Sequence, residues 1–101
     1  MDLHNFRKSL TDDTPPDELT PALEAVWHAA RDDWHRAHKI VQDDPGRDAA
    51  WVHAHLHRVE GDMANADYWY RMADRGMPQG GTREELWDIA AELLRQSSPA
   101  T

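Results

Sequence analysis

Three histidines at alternate positions, His53, His55 and His57, are the residues of this chain best suited to chemistry. On a β-strand all three imidazoles would point to one face, as several zinc enzymes require. On an α-helix His53 and His55 diverge by about 200°, while His53 and His57 stack one turn apart. The neighbours decide between the two. Ala49, Val52, Leu56 and Val59 recur at the helical period of about 100° per residue, so the triplet reduces to a pair and an outlier. His53 and His57, with Glu60 beside their edge of the helix, form a candidate metal grip for zinc or nickel, a centre that would support hydrolysis. The same pair equally suits a buried polar network with a tyrosine, a tryptophan or a carbonyl, which is the commoner fate of histidines beside an apolar stripe. Both readings stay open at this level.

Other chemistries find less support. His57, Glu60 and Gly61 have the spacing of a phosphotransfer histidine, but Glu60 stands where a lysine would offset the phosphoryl charge, and a carboxylate repels it. The serines, Ser9, Ser97 and Ser98, lie near the termini, outside any nucleophile-elbow pattern. Gly80-Gly81-Thr82 lacks the lysine of a phosphate loop. The pairs Asp12-Asp13, Asp32-Asp33 and Asp43-Asp44 fall at turns and do not alternate as a calcium loop requires. With no cysteine, the chain has no disulfide and no thiolate ligand.

The elements that would position these residues are helical. Leu3, Phe6 and Leu10 mark a short N-terminal helix with one apolar edge, and Thr11–Pro16 reads as a linker. Thr20-Pro21 is an N-cap followed by a first-turn proline, opening a helix with Leu23, Val26, Trp27 and Ala30 inward. Asp32 or Asp33 caps the next, over about 34–43, with Trp34, Ala37, Ile40 and Val41. Asp44-Pro45-Gly46 turns the chain into the histidine-bearing helix, which Gly61 breaks. Asp62 caps a helix bearing Met63, Ala66, Trp69, Tyr70 and Ala73, ended by Gly76 as a left-handed residue and by Pro78. Thr82 and Glu85 fit a reciprocal capping box for a last helix through about Gln96, with Leu86, Ile89, Ala90, Leu93 and Leu94. Residues 97–101 are expected to fray.

Shifted so that Asp33 falls on Asp62, the two central hairpins overlay: Ala37 meets Ala66, Ile40-Val41 meet Trp69-Tyr70, and Trp27-His28 meet Leu56-His57. A duplicated helix hairpin follows. The second copy resembles the tetratricopeptide superfamily and its Sel1-like branch. Ala66, Trp69, Tyr70, Ala73 and Gly76 match that branch's A-x-x-W-Y-x-x-A-x-x-G helix, and Gly61 sits near its inter-helix glycine. His55 and Arg58 depart from the glycine and tyrosine usual there, and the offset of about 29 residues is shorter than the family's 34. Trp51 to Tyr70 also looks like a group of short uncharacterised bacterial proteins with W-x-H-A-x-L-H-R-x-E-G-D-x-x-N-A-x-Y-W-Y. The superfamily resemblance implies hairpin packing and protein or peptide binding, and implies nothing catalytic.

The expected fold is therefore all-α and one domain over 1–101. It has about five helices in two tandem tetratricopeptide-like hairpins, 20–43 and 45–75, after an arm at 1–19 and closed by a C-terminal helix at 82–96. Two hairpins are fewer than a solenoid needs, so the terminal helices or a second copy must cover them. A net charge of −8 disfavours nucleic acid and anionic membrane as partners. The absence of a leader-like or membrane-length apolar run suggests a cytoplasmic protein. Trp51, His55, Arg58, Tyr68 and Arg71 are residue types that anchor interfaces. They nominate a surface for a protein or peptide partner, or for a homodimer. The leading expectation is a non-enzymatic interaction module; the rival is a metal- or small-ligand-binding protein built on His53, His57 and Glu60.

Overall fold

The computed structural model describes residues 1–97. These form six α-helices: α1 (Leu3–Lys8), α2 (Pro21–Ala30), α3 (Trp34–Val41), α4 (Arg47–Val59), α5 (Met63–Met72) and α6 (Thr82–Ser97), with a single 3-10 turn at Ser9–Thr11. No strand occurs among the described residues, and no helix of theirs is long and apolar enough to cross a membrane. The chain is all-α. The helix beyond the expected five is α1, part of the N-terminal arm. Asp2 caps it by accepting from the Asn5 backbone N–H at 2.8 Å, and Phe6 anchors it, fully buried. Ser97 is still helical, and the rest of the expected frayed tail lies outside the described residues.

The helix starts follow from short polar side chains that satisfy otherwise orphaned amides. Thr20 Oγ1 accepts from the Leu23 N–H, Asp33 Oδ1 from the Arg36 N–H and Asp62 Oδ1 from the Asn65 N–H. The turns leaving α2 and α4 are alike in detail. Asp32 (φ 62°) and Gly61 (φ 85°) both take the left-handed conformation. In each turn the following aspartate donates its N–H back to a histidine carbonyl, Asp33 to His28 and Asp62 to His57. Nothing lies within 4 Å of where a Gly61 side chain would begin, so the backbone angle alone favours glycine there.

One start and one stop differ from expectation. Asp74 (φ 59°), not Gly76, is the left-handed residue after α5, with the Arg75 N–H returning to the Tyr70 carbonyl. Aspartate tolerates this conformation because its short side chain can bond locally. Gly46 is the N-cap of α4, and Asp44 Oδ1 accepts from the Gly46 N–H at 2.8 Å and shapes the turn before it, as the turn signal there implies. Glu85 makes no capping box: its side chain turns inward, away from the α6 terminus.

The pairs α2/α3 and α4/α5 pack most extensively, α6 lies against α2 and α4, and α1 rests on α6. Leu23, Val26 and Trp27 of α2, Val52 and Leu56 of α4, Tyr70 of α5 and Ile89 and Leu93 of α6 fill the shared core. Val59 and Met63, placed on apolar stripes by periodicity, are instead about half exposed, because each lies at a helix end beside the Gly61 turn. The arm is fastened by polar contacts. The Trp27 indole N–H donates to Ser9 Oγ at 3.1 Å, and Trp87 lies between the guanidinium groups of Arg7 and Arg83, at 4.5 and 4.8 Å.

Candidate functional site

The helix period places His53 and His57 on the side of α4 that meets α3 and α5, and their rings stack with centroids 4.8 Å apart. A third histidine joins them from α3. His38 Nε2 lies 3.1 Å from His53 Nε2, and one ring nitrogen from each of His38, His53 and His57 falls within 4.8 Å of the others. Trp34 stacks on His38 at 4.7 Å and Trp69 on His53 at 4.0 Å, so indoles wall the cluster on two sides. Glu60 is not one of the three. Its Oε1 takes the other edge of His57, 2.6 Å from Nδ1, which leaves Nε2 as the free nitrogen of that ring. Glu60, His57 and Asp62 form a second, more exposed group of potential ligands that shares His57.

His53, at the centre of the cluster, is neutral at physiological pH. Burial and the neighbouring imidazoles of His38 and His57 push the His53 pKa down to about 4. Burial first, and then the His57 charge, also lowers His38. His53 Nδ1 is buried without a hydrogen-bond partner. A bare lone pair there costs less than an orphaned N–H. The favoured tautomer therefore has His53 donating from Nε2 to His38 Nε2.

His55 points the other way, as a helical outlier must, and reaches α6. Its Nδ1 lies 2.7 Å from Glu85 Oε1, and Arg58 donates to the same oxygen at 3.0 Å. The Tyr70 hydroxyl donates to Glu85 Oε2, and Arg58 also reaches the Gly80 carbonyl. Burial alone would raise the Glu85 pKa. The hydrogen bonds from His55 and Tyr70, the His55 charge and Arg58 outweigh it, so the carboxyl is held below its usual range. Burial, together with that carboxylate, raises Tyr70.

The five residues nominated as an interaction surface therefore do not share one. His55 and Arg58 are turned inward onto Glu85, and Trp51 is covered by the Arg75 guanidinium at 3.5 Å. Tyr68 is about half exposed on α5, and Arg71, also exposed, pairs with Asp67 at 2.8 Å. Sequence reasoning missed His38 and Glu85, and both carried a signal. His38 completes an i, i+3, i+4, i+7 stripe with Trp34, Ala37 and Val41, and Glu85 sits one turn before Ile89 on the buried face of α6.

No protein-family profile, no curated protein and no solved structure matches the chain.

Proposed function

We propose that the protein binds a divalent transition metal, zinc or nickel, through His38, His53 and His57. The observation that carries this reading is the convergence of three imidazoles from two helices. Two zinc-bound nitrogens at about 2.0–2.1 Å and tetrahedral angles stand about 3.3 Å apart. The His38–His53 separation of 3.1 Å is close to that. Glu60 on His57 Nδ1 supplies the outer carboxylate that commonly orients a ligating imidazole. Glu60 thus acts as a positioning residue and not, as the sequence suggested, as a ligand. One cost opposes binding. With Nε2 of His53 on a metal, its proton must sit on Nδ1, which has no acceptor. That costs about 1–3 kcal/mol, small beside the roughly 10–16 kcal/mol of structural zinc binding. Three histidines leave a fourth position for water or a small ligand, the arrangement of hydrolytic zinc centres.

Isothermal titration of untagged protein with zinc is expected to give one site tighter than about 100 µM, near −5.5 kcal/mol. His53→Ala or His38→Ala should abolish it, and Glu60→Gln should weaken it by about 10–100-fold. Wild-type protein with no site in that range, or an unchanged site in both histidine variants, would refute the reading.

A second reading rests on α5. Tyr68 and Met72 lie one turn apart and half exposed, with Val59 and Met63 exposed at the adjoining turn. An apolar edge of this kind suits a second copy of the chain or an amphipathic peptide. For the self-association form, light scattering after size exclusion at about 100 µM should give a dimer. Tyr68→Asp/Met72→Asp should then be monomeric. A monomeric wild type would end it.

A further inference from the structure

A half-open cavity of about 190 Å³ lies where the ends of α2 and α4 meet the starts of α3 and α6. Trp34, Leu56, Val59 and Leu86 give it apolar walls, and two charged side chains, Asp32 and Arg83, also line it. Both charged residues are exposed, so they stand at the mouth. The cavity is separate from the three-histidine cluster, although Trp34 borders both.

The two charges are opposite and unpaired. Arg83 donates to the Ala30 carbonyl at 3.0 Å and lies 4.8 Å over Trp87, contacts that fix the guanidinium at the end of α2 without neutralising it. Among the described residues no carboxylate forms an ion pair with Arg83, no cation forms one with Asp32, and the two do not reach each other. Glu84, the other exposed charge in the first turn of α6, folds back toward Gly80 and is outside the lining. Opposite charges that border one cavity without closing on each other suit a molecule carrying both signs. Its carboxylate would take the remaining guanidinium N–H groups, and its ammonium the Asp32 carboxylate. Size and polarity define the rest. An apolar cavity of about 150 Å³ holds one benzene ring, so 190 Å³ accepts an aliphatic or phenyl side chain while the charged atoms stay at the mouth.

We infer that this cavity binds a small apolar α-amino acid as its zwitterion, with the carboxylate on Arg83, the ammonium on Asp32 and the side chain among Trp34, Leu56 and Leu86. The site does not depend on the metal reading.

The test uses the full chain in the presence of a chelator, so that no metal holds the amino acid, and follows titrations by proton–nitrogen correlation spectra. Leucine should shift the amides of Ala29, Leu56 and Leu86 with a Kd of about 1 mM. Isocaproate lacks the ammonium, isoamylamine lacks the carboxylate and glycine lacks the side chain; each should bind at least about tenfold more weakly. Asp32→Asn keeps a residue type that tolerates the left-handed backbone there, and it should bind leucine no better than isocaproate. Arg83→Gln should lose the advantage of leucine over isoamylamine. Val59→Trp fills the mouth from a half-exposed position and should abolish leucine binding. Leucine no tighter than either singly charged analogue, undiminished leucine binding to Asp32→Asn or to Val59→Trp, or no shifts with leucine up to about 20 mM would each overturn the inference.

Discussion

Glu85→Ala is expected to destabilise the protein by about 3–5 kcal/mol, the cost of removing one partner from a buried ionic network. The carboxylate is buried among His55, Arg58 and Tyr70 and is the shared acceptor of all three. Alanine leaves the Arg58 charge facing an emptied apolar space, with only the Gly80 carbonyl to receive it. It also leaves the Tyr70 hydroxyl and the His55 N–H without acceptors. A domain of this size has about 5–15 kcal/mol in total, so the variant should be largely unfolded well below the wild-type midpoint. Urea unfolding followed by tryptophan fluorescence measures it. Glu85→Gln keeps the shape and one acceptor and should fall between. Arg58→Leu/Glu85→Leu, which removes the charges together, should recover part of the loss, because desolvating an ion pair offsets much of its attraction. A Glu85→Ala variant within 1 kcal/mol of wild type would show that the network contributes little.

The metal-free protein is expected to lose about 3 kcal/mol as pH falls from 6.5 to 4, through His53. The sign follows from proton counting. In the unfolded chain this histidine titrates near 6.5, whereas burial and two neighbouring imidazoles hold the folded value at about 4. Between those values the unfolded state binds more protons, so stability rises with pH across the window. The contribution is fully present above about 6.5, and below about 4 no further loss comes from this group. At about 1.4 kcal/mol per pKa unit the gap gives the stated size. His38 and His28, both lowered chiefly by burial, act in the same direction. Thermal melts at pH 7.5 and 4.5 should differ by more than 10 °C. A His53→Phe variant should show a visibly smaller difference. A flat profile for wild type would contradict the neutral, buried state of His53.

Much of this could be read from residues alone, because much of it is local. The helical period of Ala49, Val52 and Leu56 is enough to split His53 and His57 from His55, and the structure places them on opposite sides of α4. The caps at Thr20, Asp33 and Asp62 are legible for the same reason, since an N-cap acts within three residues. Glu85 shows the limit of that reasoning. Its spacing from Thr82 permits a capping box, a local partner. In the fold a guanidinium, an imidazole and a phenol from two other helices outcompete a single terminal amide. Asp74 shows a milder form, in which aspartate takes the left-handed turn residue's place and Gly76 is left outside it.

By itself, then, the sequence determined the all-helical class, most of the helix ends, and which histidines of α4 can act together, because periodicity and capping are short-range. Only the tertiary structure decided what each face meets. It brought His38 from α3 to His53 and His57, and set the Glu60 carboxylate against the Nδ1 edge of His57. It also turned His55 and Arg58 from a nominated surface into a buried network with Glu85. The pairings between helices join residues 15 to 30 positions apart, and distance in the chain carries no period that could announce them.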